Sequence, residues 1–402
     1  MFFEKINNHL VFNFLGVKLK IRYDNDSIFP YKRKEKRIKK YKYVHLMNNG
    51  IHSINILNFI NKYFDNNEHC FVFPCVMFEK TKEILEGVEN VFYCPINNID
   101  LKVTDKIIIH GLFDYNLIKQ LYKHKKYLPK TYWFIWGGDL HKEPIDKKEI
   151  YVKSNIAGIL TSFDKDVYEE KYGKPKSYFD VTYPHGIDIS MIKSNKSKDY
   201  IHIQINNSAD ETTLEMLDIL SKFKDEKIKI STILSYKTIG HKNIQMQIMK
   251  KGYEIFKEKF NPLIEFLPEE EYANHLATVD IYISNQNRQQ GNGNATLIHS
   301  LGGKVFLKHD TSVYKKYNSI GMKIFDTYEI PNLNFEEFCA FDEDEKQKSI
   351  SILKERMKDE TKVNQWKNFF ESDIRTKCTT NSDIHALNGG GVEPLIARLL
   401  AV

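Results

Sequence analysis

Asp280-Ile281-Tyr282-Ile283-Ser284-Asn285-Gln286-Asn287-Arg288-Gln289-Gln290-Gly291-Asn292-Gly293-Asn294-Ala295-Thr296-Leu297-Ile298-His299-Ser300-Leu301 decides how the rest of this chain is read. The alternating apolar run Asp280 to Ser284 predicts a buried strand, and Ala295 to Leu301 predicts the start of a helix. Between them lies a polar, glycine-spaced loop. A strand, a glycine loop and a helix N-terminus together aim free backbone N–H groups and the positive end of a helix dipole at one point. Such a point suits a phosphate or diphosphate, and Arg288 adds a forked cationic donor. The competing reading is an ordinary βα turn with glycines for tightness. The spacing matches neither the Gly-Lys-Ser/Thr phosphate loop nor the G-x-G-x-x-G dinucleotide fingerprint.

At 402 residues the chain exceeds one comfortable core, which predicts two α/β domains. With 42% hydrophobic and 28% charged residues, its composition is that of a globular protein. The net charge is +6, and the segment Tyr31 to Lys40 alone carries it, with seven basic side chains (Lys32, Arg33, Lys34, Lys36, Arg37, Lys39, Lys40) against one Glu. This run reads as a solvated surface segment, an anchor to anionic lipid or a nucleic-acid patch; no nucleic-acid-binding motif accompanies it. Tyr122 to Lys130 is a second basic and aromatic cluster on which the same face could continue. Cys70, Cys75, Cys94, Cys339 and Cys378 form no C-x-x-C pair or zinc spacing, which predicts free thiols in a reducing compartment. Val11 to Val17 is too short to span a bilayer and makes no signal peptide. A cytoplasmic protein, lying on a membrane at most, is expected.

Strands are predicted at Tyr43–Met47, Cys70–Phe73, Val91–Tyr93, Ile107–Ile109, Tyr132–Ile135 and Ala157–Leu160, with helical patterns between most of them; Ser53 is the expected N-cap of the first helix. Around Lys174 to Lys198 the pattern breaks into Pro, Gly, Ser and Lys, which places the interdomain hinge there. A second unit follows with strands Tyr200–Ile205, Ile228–Leu234, Leu263–Leu267 and Lys304–Leu307 around the glycine loop. The expected boundaries are a basic extension 1–40, an N-terminal Rossmann-like domain 41–185, a C-terminal Rossmann-like domain 186–345 and C-terminal helices 346–378. Residues 379–402 are expected to be a vector-derived tail, because Ala386 to Val402 abandons the Lys-rich character of the chain.

Ligands of doubly wound sheets bind outside the carboxyl ends of the strands, so polar groups there are candidates. In the first domain these are His110-Gly111 and Trp136-Gly137-Gly138-Asp139. A carboxylate after two glycines is placed to accept a proton from a hydroxyl, though Asp139 also suits a helix N-cap, and His110 suits either an acid/base group or a hydrogen-bonded strand end. In the second domain Asn206-Asn207-Ser208-Ala209-Asp210 forms another donor-rich loop before a helix. Two helix N-termini on one rim can neutralise a diphosphate without a metal. Three Asp-x-Asp matches, at Asp24, Asp164 and Asp342, each lie away from a strong central strand, so no metal site is expected.

His110-Gly111-Leu112-Phe113 with Trp133 to Leu140, then Asn207 to Asp210, then Arg288 to Gly293, resembles the 4-acetamido-4,6-dideoxygalactosyltransferases of enterobacterial common antigen synthesis, glycosyltransferase family 56. The likeness covers roughly Tyr43 to Lys323. It implies two Rossmann-like domains of GT-B type facing across a cleft, a deoxythymidine diphosphate sugar donor and a polyprenyl-diphosphate-linked acceptor at the cytoplasmic face. Two departures leave donor sugar and acceptor open: the first forty residues have no counterpart, and His299 stands where the family pattern has glutamine.

The expected function is therefore metal-independent transfer of a sugar, with the nucleotide sugar as co-substrate and no cofactor. Asn207, Ser208, Arg288, Gln289, Gln290, Gly291, Asn292, Gly293, Asn294, Ala295 and Thr296 are the expected donor site. Asp139 and His110 are the expected catalytic groups, and Trp136 and Gly138 the expected acceptor contacts. The expected partners are a nucleotide-diphosphate sugar, a lipid-linked glycan and, through Lys32 to Lys40, the anionic inner face of the cell membrane, not nucleic acid. The rival readings are a nucleotide-sugar epimerase on the same architecture and a basic membrane- or nucleic-acid-binding module.

Overall fold

Lys106-Ile107-Ile108-Ile109-His110 is buried along its whole length, as a strand covered by helices on both faces must be. The same holds for Tyr43–Leu46, His69–Val72, Thr131–Phe134 and Ile281–Ser284. In a computed structural model of the chain, the described residues are 41–48, 51–74, 79–184, 192–235, 242–287 and 290–372, with the backbone of three strands before them. Those three, β1 (Phe2–Ile6), β2 (His9–Phe14) and β3 (Val17–Arg22), form an antiparallel meander.

The first domain is a seven-stranded parallel sheet of β4 (Tyr43–Leu46), β5 (His69–Val72), β6 (Val91–Phe92), β7 (Lys106–His110), β8 (Thr131–Phe134), β9 (Gly158–Leu160) and β10 (Tyr178–Phe179). Its order is β10-β9-β8-β7-β4-β5-β6. The second sheet contains β11 (Ile201–Ile205), β12 (Ile228–Thr232), β13 (Ile281–Ser284), β14 (Lys304–Leu307) and β15 (Phe325–Asp326), ordered β12-β11-β13-β14-β15. Isolated parallel bridges join Phe260 to Ile230 of β12 and Leu263 to Ile233 just after it, so the strand expected at Leu263–Leu267 contributes only the second of these bridges. Strand order therefore reverses between β4 and β7 in the first sheet and between β11 and β13 in the second. Those reversals are the switch points at which doubly wound sheets open a crevice at their carboxyl edge.

Three expectations need correction. The first helix runs Ile51–Tyr63, so Ser53 is a buried residue inside its first turn and not its cap. The helix expected from Ala295 begins a turn earlier, at Asn292, because Gly291 takes a left-handed φ of 63° and serves as the cap. Within the expected hinge, β10 still pairs with β9, so the first sheet continues to Phe179.

The helix Asp359–Glu371 returns to the first domain. Trp366 is fully buried and stacks on Phe134 at 5.8 Å and 11°, while Phe369 meets Tyr132 edge-on at 5.1 Å. Lys106 Nζ donates to the carbonyls of Phe369, Phe370 and Ser372 at 2.5, 2.8 and 2.8 Å. A buried ammonium thereby satisfies the orphan carbonyls of the helix C-terminus and complements its dipole. Between the domains, Ser312 Oγ donates to Asp164 at 2.8 Å and Phe163 packs edge-on against Tyr317 at 5.5 Å. Asp164 follows β9 and Ser312 follows β14, so the carboxyl edges of the two sheets meet at these contacts. Among the described residues no helix is long and apolar enough to cross a membrane.

Truncation of Trp366 to alanine leaves a large cavity between the return helix and the first sheet. Trp366→Ala should lower the unfolding free energy by about 3–5 kcal/mol, read from denaturant midpoints. An unchanged midpoint would show that the return helix contributes little to this core.

Candidate active site

At the switch point of the second sheet, Asn206 leaves β11 with a φ of 49°, a conformation that asparagine tolerates better than other non-glycine residues. Its Oδ1 accepts from the Asn285 amide at 2.8 Å, and its Nδ2 donates to Thr212 and Thr213 hydroxyls, each at 2.9 Å. The loops after β11 and β13 are thus tied together. Gln286 repeats the tie: its Oε1 accepts from the Asn207 amide at 3.3 Å, and its Nε2 donates to Ser208 Oγ at 2.9 Å and Asp210 at 2.6 Å. Ser208 Oγ in turn donates to Gln290 Oε1 at 3.1 Å.

Gly291 closes the contact. A Cβ placed there would lie 2.7 Å from both Asn207 Cβ and Tyr282 Oη, so the two loops touch at a position that admits no side chain. Asn294 Nδ2 reaches back to Asn207 Oδ1 at 2.5 Å and Tyr272 Oη at 2.6 Å. Gly291 supplies no capping side chain, so the first amides of the helix Asn292–Ser300 have no side-chain cap among the described residues. Ser284, Gln286, Gln290, Asn292, Ala295 and Thr311 line a small cavity beside this helix start. Thr296 Oγ1 lies 3.0 Å from Tyr317 Oη, which links the loop to the interdomain contact. The structure therefore brings together Asn207, Ser208, Gln290, Gly291, Asn292, Gly293, Asn294, Ala295 and Thr296. Arg288 and Gln289 lie outside the described residues, as do Lys32, Arg33, Lys34, Lys36, Arg37, Lys39 and Lys40.

Gln286, Tyr272 and Lys308 were not among the expected site residues. Lys308 follows β14 directly, is 7% exposed, and donates to Asn287 Oδ1 at 2.6 Å, beside the position where Arg288 follows in the chain. A lysine at the carboxyl end of a predicted strand was the available signal.

The first sheet departs further from expectation. Asp139 is 1% exposed, and its carboxylate accepts from the Leu112 amide at 2.7 Å, Trp133 Nε1 at 2.6 Å and the Trp136 amide at 3.0 Å. Burial raises its pKa above the usual carboxylate range, against the pull of those three donors and Lys153. Both oxygens accept hydrogen bonds inside the protein, so Asp139 joins the loops after β7 and β8. His110 is also interior: its Nε2 lies 2.9 Å from His45 Nδ1 and its Nδ1 3.4 Å from Tyr183 Oη, while His45 Nε2 lies 3.0 Å from His69 Nδ1. Burial holds His110 and His69 down at about 3, so this ladder is neutral near pH 7. Trp136 and Gly138 are half-buried on the same rim. Of the Asp-x-Asp pieces, Asp164 accepts from Ser312 and Asp342 caps a helix, while Asp24 lies outside the described residues.

Residues 96–325 match the family described as 4-alpha-L-fucosyltransferase, glycosyl transferase group 56. The chain belongs to glycosyltransferase group 56. As a group 56 member it is a glycosyltransferase, and its two facing parallel sheets are the GT-B fold. Similar folds recur in a glycosyltransferase from Rickettsia africae (11% identity, 85% of this chain and 100% of that one, TM-score 0.60). They recur also in the N-terminal domain of Candida albicans trehalose-6-phosphate phosphatase (12%, 82% and 97%, 0.61). An Anabaena protein solved with UDP and glucose is a third (10%, 82% and 99%, 0.58). At these identities the likeness concerns the fold.

Asp139→Asn separates a structural carboxylate from a catalytic one. An amide offers one oxygen to three N–H donors, so at least one donor loses its partner and unfolding free energy should fall by about 1–3 kcal/mol in thermal or urea melts. Wild-type stability with abolished transfer would return Asp139 to the role of base.

Proposed function

We propose that this group 56 glycosyltransferase holds its nucleotide-diphosphate sugar on the rim of the second sheet and its acceptor on the rim of the first. The observation that carries this reading is the closure of the β11 and β13 loops at Gly291 and Asn207. That closure leaves the N-terminus of the Asn292–Ser300 helix open at the switch point. When the bond between the anomeric carbon and the phosphate oxygen breaks, charge accumulates on the departing diphosphate. Backbone amides of Asn292 to Asn294, the guanidinium of Arg288 and the ammonium of Lys308 are the groups we assign to that charge. Such a donor set neutralises the diphosphate without requiring a metal ion.

The family resemblance further suggests thymidine diphosphate as the nucleotide and a lipid-linked glycan as acceptor. The basic run Lys32 to Lys40 suits the anionic membrane surface on which such an acceptor resides. Replacing those seven basic residues with glutamine should weaken binding to phosphatidylserine vesicles while sparing transfer to a water-soluble acceptor; loss of both together would count against a purely electrostatic anchor.

Removing one donor from a developing diphosphate costs about 3 kcal/mol, roughly a hundredfold in rate. Arg288→Ala should show that loss and a smaller thermal shift with thymidine or uridine diphosphate, with the unliganded melting temperature unchanged. Transfer should survive chelation by EDTA. Undiminished turnover by Arg288→Ala would remove the proposed diphosphate site. Conversion of donor in the absence of any acceptor would point to an epimerase instead.

A further inference from the structure

Tyr122 to Lys130, the second basic and aromatic cluster of the sequence, has no role in the site described above. Its residues end the helix Tyr115–Lys123 and form the short 3₁₀ helix Lys125–Lys130. The helix Lys147–Asn155 packs beside them: Tyr122 meets Tyr151 edge-on at 5.5 Å, and Lys125 Nζ stands 5.8 Å and 5.9 Å from those two rings. At the other end Tyr115 donates its hydroxyl to Asp146, which caps that second helix. Both helices therefore start at the carboxyl rim of the first sheet and share one outer face. Phe113, in the loop after β7, marks the rim end of that face, its ring 6.0 Å from Trp136.

The face is charged in one sense. Lys119, Lys123, Lys125 and Lys126 are exposed on or beside it, as are Lys147 and Lys148 on the second helix and Lys142 in the loop before that helix. None of these seven makes an ion pair among the described residues. Glu143 is the one exposed carboxylate of residues 113–155, and Lys171 takes it at 3.0 Å. Asp114 and Asp146 are half-buried helix caps, and Glu149 is buried against Lys153 at 2.8 Å. The C-terminal helices show the ordinary pattern instead: Lys346, Lys358, Lys362 and Lys367 each pair with an acid three or four residues away.

Phe113, Ile145, Ile150 and Tyr151 are exposed among these lysines. Separate apolar side chains in a positive field, with tyrosines between them, suit the boundary between lipid headgroups and acyl chains. A nucleic acid gains nothing from exposed isoleucines, and the forked cation that reads phosphates best, arginine, is absent from residues 113–155.

We propose that the outer face of the helices Tyr115–Lys123 and Lys147–Asn155 is a docking surface for an anionic lipid bilayer, which brings the rim of the first sheet to the membrane. Phe113 and Ile145 enter the headgroup boundary at the rim end, and the lysines meet lipid phosphates along the rest of the face. Its purpose rests on the reading of a lipid-linked acceptor at that rim, but its test does not: vesicle binding is measured without turnover, whereas that reading fails on the absence of transfer to lipid-linked glycans.

The test measures cosedimentation of the full chain, Lys32 to Lys40 retained, with phosphatidylglycerol–phosphatidylcholine vesicles and with phosphatidylcholine alone. A lysine held at an anionic surface contributes roughly fivefold to partitioning, so Lys125→Glu, Lys126→Glu and Lys148→Glu combined should lower binding to the anionic vesicles about a hundredfold. Lys348→Glu, Lys354→Glu and Lys367→Glu combined, on the C-terminal helices, change the net charge equally and should leave binding within about threefold of wild type. Ile145→Ser with Ile150→Ser should weaken binding severalfold at unchanged charge, and thermal melts should show each variant folded. Wild-type binding after reversal of the three lysines on the proposed face, or an equal loss from the reversals on the C-terminal helices, overturns the proposal. Unchanged vesicle binding by the isoleucine pair, together with displacement of wild-type protein from vesicles by a mixed-sequence single-stranded oligonucleotide, would make the face a nucleic-acid surface and overturn it too.

Discussion

A parallel sheet delivers every strand's carboxyl end to the same edge, and this molecule joins two such edges through a buried carboxylate. Asp164 is fully buried after β9 and accepts the Ser312 hydroxyl that follows β14. An ionisable group so deep is costly unless its partners are in place. The contact therefore ties the rim of one sheet to that of the other, and Phe163 against Tyr317 extends the tie to Thr296 on the glycine-loop helix. Asp180, which accepts from Lys316 at 2.7 Å and pairs with Arg356 at 3.5 Å, reinforces it nearby. The separation of the loops on the two rims is thus governed by a handful of polar contacts.

The two rims differ in charge. On the first, His45, His69 and His110 are held neutral by burial, and Asp139 is enclosed by three N–H donors. On the second, Lys308 and the open N-terminus of the Asn292–Ser300 helix present positive potential. A neutral aromatic wall facing a positive polar one suits a reaction in which a sugar hydroxyl approaches from one side and a phosphate anion leaves to the other.

How much of this was legible in the sequence follows from what each pattern encodes. Strands buried on both faces appear as unbroken apolar runs, so Ile107–Ile109 and Ile281–Ile283 identified the sheets directly. The glycine loop was legible because Gly291, in a left-handed turn against Asn207, allows no other residue without strain. The helix start at Asn292 was not, since Asn-Gly-Asn carries poor helix propensity and forms the first turn through tertiary contacts to Asn207 and Tyr272. Trp366 fell only within the expected C-terminal helices, because its partners Phe134 and Thr182 lie far away in sequence. The spelling Gly-Gly-Asp fits a base, a cap or a cross-link equally well, and only the positions of Leu112, Trp133 and Trp136 around Asp139 distinguish them.

That cross-link explains why a carboxylate stands at a place where both of its oxygens are taken up inside the protein. The loop after β7 must bend at Gly111, which takes a φ of 75° and lies under the rings of Phe113 and Trp136. Such a bend turns the Leu112 amide inward, away from any strand partner, and the bend at Gly137, with a φ of 91°, does the same for the Trp136 amide. Two backbone donors and the Trp133 indole then converge on one buried point. Only an ionised carboxylate offers enough acceptor sites to satisfy all three, and Lys153, bound to the Asp139 carbonyl at 2.8 Å, offsets part of the burial cost. With both loops pinned this way, the Trp136 ring is held over Gly111 on the rim of the first sheet. Asp139 thus shapes that rim by holding the backbone from behind.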